Sequence, residues 1–429
     1  MRHGAVLTQK QNSGSICAFP IAPVVSDRFG RRIGMFTGGV VIIVGAILTS
    51  TSHAVAQFVV GRFVLGAGIM FMTVAAPAYA IEIAPPHWRG RAVGFYNCGW
   101  FGGSIPAAFI TYGCQFINSD YSWKIPLILQ CFTCVIVIFV IFFMPESPRY
   151  LMSKGEDEKA IEILTRYHGN GNRNARLVLL EIEEIRENLA IDVAYGSNPW
   201  DWRALFATHN TRWRTLQAAM MGLFGQFSGN GLGYYNPAIF NLLGYTSPFQ
   251  QLGYNVVNSV VSAVGALTSM SLTDRMPRRK VLVYGTLASA LMLCINASLQ
   301  TGLSKFTTIV NGTAVVSNTS IAKAALAFYF FFNMVYSFAY TPLQGVLPAE
   351  ALDTRLRSKG LAMYGLVVNI FGFINLYATP IALANIGFRY IWIFVGWDVI
   401  EAGLWYLFWY VFNGTTLNWA SSFPPFKNN

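Results

Sequence analysis

The chain has 429 residues, of which 54% are hydrophobic and 11% are charged, whereas a soluble protein carries about a quarter charged residues. Its formal net charge of +11 does not indicate binding to nucleic acid, because most of the cations lie in loops between apolar stretches. Composition therefore excludes a soluble globular protein and predicts an all-α protein that crosses a membrane many times.

Apolar stretches recur along the chain at the length of about 20 residues that crosses the hydrocarbon core of a membrane. Eleven spans are predicted, at residues 4–26, 33–52, 55–77, 91–115, 124–144, 215–243, 251–273, 280–300, 324–347, 360–384 and 388–412. Polar residues at 9–12 interrupt the first span. The six cysteines lie in or beside apolar stretches, so we interpret them as small buried side chains and expect no metal site or cofactor.

Two short basic segments of similar pattern indicate that the chain has two comparable halves. One is Asp27-Arg28-Phe29-Gly30-Arg31-Arg32, and the other runs from Asp274 and Arg275 to Lys280. We predict a first membrane half at 1–144, a helical linker at 145–214, a second half at 215–412 and a short tail at 413–429. Within the linker, helices are expected at 156–167 and 176–191, forming either a small lid or a solvated connection without a binding role.

The distribution of cations predicts which ends of the spans face the cytoplasm. Most cations fall on one side, in the segments 28–32, 89–91, 145–214, 275–280 and 355–359. The positive-inside rule places these segments in the cytoplasm. Glycosylation sequons at Asn311 and Asn318 lie in a loop predicted to be outside, which agrees with this orientation.

Six short motifs, in this order, resemble the sugar porters of the major facilitator superfamily over nearly the whole chain. They lie at 27–32, 61–68, 82–91, 145–149, 274–279 and 348–360. The segments 226–231 and 234–237 are similar to those of fungal lactose-permease and hexose-transporter members. The resemblance implies two pseudo-repeated helical halves that transport a sugar by alternating access. It also implies that the family's first helix is absent from this chain, so we expect a further helix before Met1.

Acidic residues and arginines at the predicted cytoplasmic helix ends form a candidate gate. An exposed ion pair contributes only about 0–1 kcal/mol, but a network that breaks on opening can bias an equilibrium between two states. The resemblance favours this interpretation, and the alternative is that the charges only fix topology and cap helices. The predicted gate residues are Asp27, Arg28, Arg31, Arg32, Glu82, Arg89, Glu146, Arg149, Asp274, Arg275, Glu350 and Arg357.

Polar residues within the spans form a candidate sugar site, because neutral amides and hydroxyls bond sugar hydroxyls and are costly in lipid. Glycines at 229, 231 and 233, followed by Pro237, predict a broken helix of the kind that forms central sites in transporters. By the family pattern, Gln226 and Asn230 bind sugar, while Tyr234 and Tyr235 close the outer mouth. The other candidates are Asn97, Asn236, Asn258, Tyr336, Gln344 and Asn369.

Two features qualify this prediction. A single Asn inside a span can simply bond a neighbouring helix, and for each of these residues that alternative stays open. The chain also departs from the family pattern, since Gly225 replaces the first of two glutamines and Gly345 stands where many members have a tryptophan.

Three charged residues inside spans are candidates for proton coupling. They are Arg62 in the third span and Asp398 and Glu401, which share a face of the last. In proton-coupled sugar porters, an arginine like Arg62 pairs with an aspartate in the first helix, so here Arg62 is expected to lack that partner. The alternative for Asp398 and Glu401 is that they are interior hydrogen-bonding groups.

Taken together, these patterns predict a multi-pass transporter, of the plasma membrane, for a hexose or a disaccharide, with proton symport. No enzyme activity, nucleic acid or obligate protein partner is predicted; the partners are the sugar, protons and the lipid bilayer. The alternatives are a truncated relative that does not transport, a sugar sensor and a transporter for another solute.

Overall fold

The computed structural model describes residues 2–194, 200–272, 276–304, 307–310, 313–316, 318–352 and 356–420. The helices of the first half are α1 (Arg2–Ala18), α2 (Ile21–Phe29), α3 (Arg31–Ser50), α4 (Val55–Ile83), α5 (Arg89–Cys114) and α6 (Tyr121–Ile141). Those of the connecting segment are α7 (Pro148–Ser153), α8 (Asp157–Tyr167) and α9 (Arg176–Ala194). The second half contains α10 (His209–Phe227), α11 (Asn230–Gly233), α12 (Asn236–Leu242), α13 (Pro248–Leu272), α14 (Arg278–Ser304), α15 (Thr319–Ala351), α16 (Arg357–Ile386) and α17 (Arg389–Ala420).

Eight of the described helices are long and apolar enough to cross a membrane, namely α3, α4, α6 and α13 to α17. The other three predicted spans are also helical, but two of them are interrupted. The span predicted at 4–26 divides into α1 and α2, and the span predicted at 215–243 divides into α10, α11 and α12. The third, α5, is continuous and carries six glycines and a proline, which lower its hydropathy.

The structure differs from the sequence prediction at two places. A short antiparallel hairpin of β1 (Thr307–Val310) and β2 (Thr313–Val316) lies between α14 and α15, where no strand was predicted. The last helix continues to Ala420, so the first part of the segment predicted as a tail is helical. Of the two sequons, Asn311 lies outside the described residues, and the Asn318 side chain caps α15 by accepting hydrogen bonds from Ser320 and Ile321.

The two halves pack against each other through α1 and α4 with α16, and through α5 with α13 and α15. The largest buried cluster lies within the second half, where it includes Phe224, Tyr329, Tyr340 and Trp405. In the connecting segment, α8 and α9 form a small core of their own around Ile161, Leu164 and Val178. The second half is therefore a well-packed body against which the first half lies.

Candidate functional site

The predicted helix break lies directly after Gln226, and a glycine is required there. Ser228 ends α10, and Gly229 adopts a left-handed conformation with φ of 82°. A Cβ at this position would lie 2.6 Å from the ring of Phe332, so both the conformation and the space exclude a larger residue. The chain then continues through the single turn of α11 into α12, whose first turn contains Pro237.

Amide side chains from three helices meet at Gln226. Gln226 is only 7% exposed, and its Oε1 accepts a hydrogen bond from the Tyr234 hydroxyl at 3.3 Å. Its backbone carbonyl accepts a hydrogen bond from Asn375 Nδ2 of α16 at 2.6 Å. Gly372 of α16 leaves room for two amides, because Gln226 Oε1 and Asn12 Nδ2 lie 3.6 and 3.3 Å from where its Cβ would be. Gln226 of the second half thus lies close to Asn12 of the first.

Gln344 and Tyr336 of α15 complete this cluster beside Gly225. The Tyr336 hydroxyl donates to the Gly225 carbonyl at 2.6 Å, and Gln344 Nε2 donates to the Tyr336 oxygen at 3.0 Å. The Gln344 amide occupies the space that a side chain at position 225 would need. The departure from the family pattern at Gly225 is therefore matched by a second amide, supplied from α15.

Four other predicted site residues make structural hydrogen bonds. Asn236 donates to Asn255 at 2.8 Å and accepts from Tyr329 at 2.5 Å, which ties α12 to α13 and α15. Three further side chains donate to backbone carbonyls: Asn369 to Gly365 of its own helix, Tyr235 to Leu376, and Asn97 to Thr341. Asn236, Tyr235 and Asn97 therefore bond neighbouring helices in this structure, whereas Asn369 bonds its own helix.

Two more candidates differ from these. Asn230 begins α11 and is half-buried beside the break. Asn258 of α13 is half-buried, and its Oδ1 is buried without a hydrogen-bond partner among the described residues. A buried acceptor of this kind can bond a ligand hydroxyl, so Asn258 stays a candidate.

Three of the predicted gate residues of the first half form a largely buried ion network. Arg31 binds Glu82 through two hydrogen bonds of 3.0 Å and pairs with Asp27. The side chains of Arg31 and Glu82 are 8% and 3% exposed, and Ser147 donates to Glu82 at 2.6 Å. Two buried charges in this geometry compensate each other, and removal of either one leaves the other unpaired.

The remaining gate residues differ in their contacts. Arg32 donates to the carbonyls of Ile141 and Phe142, and Glu146 accepts from the backbone of Arg32 and Ser147. Tyr150 donates to the Arg28 carbonyl. Arg149 interacts electrostatically with Glu82, Arg89 pairs with Glu181 and Glu184 of α9, and Glu350 pairs with Arg278. Asp274 and Arg275 lie outside the described residues.

The described ion pairs of the predicted gate residues join parts of one half or join a half to α9. The described contact of Asp27 with the other half is a hydrogen bond from a neutral hydroxyl. At the cation-rich side, Ser358 of α16 donates to Asp27 of α2 at 2.7 Å. Arg357 lies in the field of Glu82 and donates to the Ala349 carbonyl. Above them, an apolar layer closes the interface with side chains no more than 3% exposed, contributed by Ala78, Ile81, Val93, Val346, Ala349 and Leu361.

The charges inside the spans lie at two separate places. Arg62 donates to Gln11 Oε1 of α1 at 3.3 Å and lies over the ring of Phe58. Its partner is therefore a neutral amide, which the sequence analysis did not identify. Asp398 and Glu401 are completely buried in the second half, where Glu401 accepts hydrogen bonds from Ser228 and Tyr340.

Sequence reasoning missed Asn12 and Asn375. Asn12 belongs to the polar run that was interpreted only as an interruption of the first span. Asn375 lies six residues after Asn369 in an apolar stretch, and the same argument that selected Asn369 could have selected it. The cluster offers neutral amides and hydroxyls, which suits a polyol, and the described residues contain no group of side chains that could hold a metal ion.

Comparisons with known proteins agree with this description of the chain. The family model for the sugar (and other) transporter matches residues 6–421. The high-affinity glucose transporter of Kluyveromyces lactis is 29% identical over 395 residues, which cover 89% of this chain and 70% of that protein. The MFS-type transporter criB of Aspergillus cristatus is 29% identical over 340 residues, which cover 79% and 70% of the two chains.

The fold is similar to that of a solved transporter. The proton:xylose symporter XylE bound to 6-bromo-6-deoxy-D-glucose superposes with a TM-score of 0.79, at 19% identity, over 94% of this chain and 86% of that one. An inward open conformation of XylE from E. coli superposes with a TM-score of 0.70, over 94% and 85% of the two chains.

Proposed function

The chain belongs to the sugar (and other) transporter family, and on that premise we propose that it carries a hexose or a disaccharide through the central cluster at Gln226. The observation that supports the cluster as the site is the meeting of Gln226, Gln344 and Tyr234 with Asn12 where the two halves face each other. A solute bound there would touch both halves. Movement of one half against the other then changes the side from which the solute can leave.

The chemistry of the cluster favours a sugar over an anionic solute. Its described members are neutral amides and phenols, which can donate to and accept from ring hydroxyls. An acid would require a cation at the site, whereas Arg62 is committed to Gln11 and lies over Phe58. The relatives with printed functions include a glucose transporter and a proton:xylose symporter, which supports a monosaccharide as the first solute to test and supports proton symport.

In this proposal the halves are residues 1–144 and 215–412, the segment 145–214 faces the cytoplasm, and the protein resides in the plasma membrane. The packing of α8 and α9 around a core of their own supports a folded cytoplasmic element. Two contacts join this segment to the α4–α5 region: Arg89 pairs with Glu181, and the His168 ring lies 3.0 Å from the Ile83 carbonyl oxygen.

The test is uptake of radiolabelled D-glucose, D-xylose and lactose into proteoliposomes that contain the purified protein. The expected result is saturable uptake of one of them, and Gln226→Ala should raise its Kd about tenfold, which corresponds to loss of one or two sugar hydrogen bonds. Gln57→Ala is the matched control, because this amide lies in the first turn of α4 and donates to the backbone carbonyls of Leu48 and Thr51. Saturable binding without uptake would favour a sensor. The absence of both binding and uptake would refute the proposal.

A further inference from the structure

Glu401 is a completely buried carboxyl group of α17, and Asp398 lies one turn before it on the same face. Three carboxyl oxygens of this pair have no hydrogen-bond partner among the described residues: both oxygens of Asp398 and Oε2 of Glu401. An ionised carboxylate in such surroundings is destabilised by several kcal/mol unless a cation or several donors compensate it. Two neighbouring carboxylates add mutual repulsion, so one proton shared by this pair removes a large unfavourable contribution.

The side chains that face Glu401 include no cation among those whose contacts are described. Its own helix contributes Asp398 and Trp405, whose indole donates to the Tyr340 oxygen at 3.3 Å. The neighbouring helices supply phenols and hydroxyls, namely Tyr340 and Tyr336 of α15, Thr286 of α14 and Ser228 of α10. The titratable groups around Glu401 are therefore Asp398, Tyr340 and Tyr336.

The contacts of Ser228 depend on whether Glu401 carries a proton. Ser228 Oγ lies 2.8 Å from Glu401 Oε1 and 2.6 Å from the Phe224 carbonyl oxygen. A hydroxyl has a single hydrogen, so it cannot donate to both of these acceptors. When Glu401 is protonated, its O–H can donate to Ser228, and Ser228 donates to Phe224. When Glu401 is ionised, Ser228 must donate to the carboxylate, and the Phe224 carbonyl loses this bond.

Ser228 is also the residue that ends α10, two positions after Gln226 and directly before the left-handed turn at Gly229. We propose that Glu401 binds and releases the transported proton and that Ser228 links this proton to the shape of the break that carries Gln226. The inference rests on the proposed sugar transport. A hydronium ion on one side loses an O–H bond as the O–H bond of Glu401 forms, and on the other side the Glu401 O–H bond breaks as the proton returns to water.

The test measures sugar uptake and proton entry together, in proteoliposomes that contain a pH-sensitive dye. Glu401→Gln keeps the size of the side chain, and its amide oxygen can still accept hydrogen bonds from Ser228 and Tyr340. The expected result is that sugar-dependent proton entry falls at least about tenfold, while sugar exchange at equal pH on both sides stays within about threefold of the parent. Asp120→Asn, at an exposed carboxyl, is the control and should leave both measurements unchanged.

A second variant tests the link itself. Ser228→Ala keeps the hydrogen bond from Tyr340 to Glu401 and removes the switching hydroxyl, so the dependence of sugar Kd on pH should flatten relative to the parent. Proton entry in Glu401→Gln equal to that of the parent would overturn the inference. Sugar uptake by the parent without any proton entry would also overturn it and leave the proposed function intact. A parent that neither binds nor carries sugar would refute both.

Discussion

His168 Nδ1 lies 2.5 Å from Glu181 Oε2, and both side chains are almost completely buried in the connecting segment. The other ring nitrogen of His168 lies 3.0 Å from the Ile83 carbonyl oxygen, at the C-terminal end of α4. A carboxylate and a carbonyl both accept hydrogen bonds, so the ring satisfies both contacts only when both nitrogens carry hydrogen. The positively charged ring then also interacts favourably with the negative end of α4.

This contact predicts that the connecting segment is held more tightly at low pH. The hydrogen bond with Glu181 raises the pKa of His168 above its ordinary value. A raised pKa means that the stabilisation is fully present below the ordinary value of about 6.5 and is lost as the pH rises through the raised value. Hydrogen exchange in α8 and α9 should therefore be slower at pH 6 than at pH 8.5, relative to the intrinsic exchange rates.

His168→Gln should abolish this dependence on pH and lower the protection of α8 and α9 by about 1.5–3 kcal/mol, the usual value of a hydrogen bond to a charged group. His209→Gln is the matched control, because the His209 ring contacts Trp213 of its own helix. A protection that does not change with pH in the parent would contradict the charged-ring interpretation.

The buried pair of Arg31 and Glu82 should contribute more to stability than the other ion pairs of the predicted gate. Glu82→Ala leaves Arg31, whose side chain is 8% exposed, with Asp27 as its remaining carboxylate partner among the described residues, so the expected loss is about 3–5 kcal/mol. Glu350→Ala breaks a pair whose side chains are 32% and 28% exposed, for which about 1 kcal/mol or less is expected. Thermal unfolding in detergent compares the two variants, and equal shifts in Tm would show that burial does not decide the effect.

Removal of the Ser358 hydroxyl should favour opening at the cation-rich side. Ser358→Ala loses the bond to Asp27 that joins the two halves, and about 0.5–1.5 kcal/mol corresponds to about a two- to tenfold larger open population. Cys98 reports on this change, because it is 5% exposed and its thiol contacts the Ala266 carbonyl across the interface. Its alkylation rate should rise accordingly.

The control for this measurement is Ser271→Ala, since the Ser271 hydroxyl bonds within its own helix and is exposed. Peptide mapping separates Cys98 from the other five cysteines. An alkylation rate in Ser358→Ala equal to that of the parent would mean that the apolar layer alone keeps this side closed.

Local patterns sufficed to predict the helices and the break, because span length, glycine spacing and proline position act over a few residues. The positions of Gly229 and Pro237 placed the interruption correctly. The hairpin could also have been found, because Asn311-Gly312 separates two runs rich in threonine and valine. The partner of an amide depends on helices far apart in the chain, and for that reason the bond from Asn97 to Thr341 and that from Arg62 to Gln11 were not predictable.

The same limit applies to the pair of Gly225 and Gln344, which gives the most specific prediction for the sugar site. A methyl group at position 225 would overlap the Gln344 amide, so Gly225→Ala should force this amide away from Tyr336. Loss of an ordered amide at the site should raise the sugar Kd about five- to tenfold. Gly233→Ala, at a glycine of α11 with no atom within 4 Å of its would-be Cβ, is the matched control and should change the Kd little.

Gln344→Ala should also raise the sugar Kd, but it empties the space that the methyl group needs. The double variant Gly225→Ala/Gln344→Ala should therefore bind sugar no more weakly than Gln344→Ala alone. In a double-mutant cycle this appears as a coupling of about 0.5–3 kcal/mol, whereas the binding free-energy changes at two independent sites would simply add. Additive changes in Kd would show that the two positions do not share one space, and Gln344 would then no longer be a substitute for the side chain that Gly225 lacks.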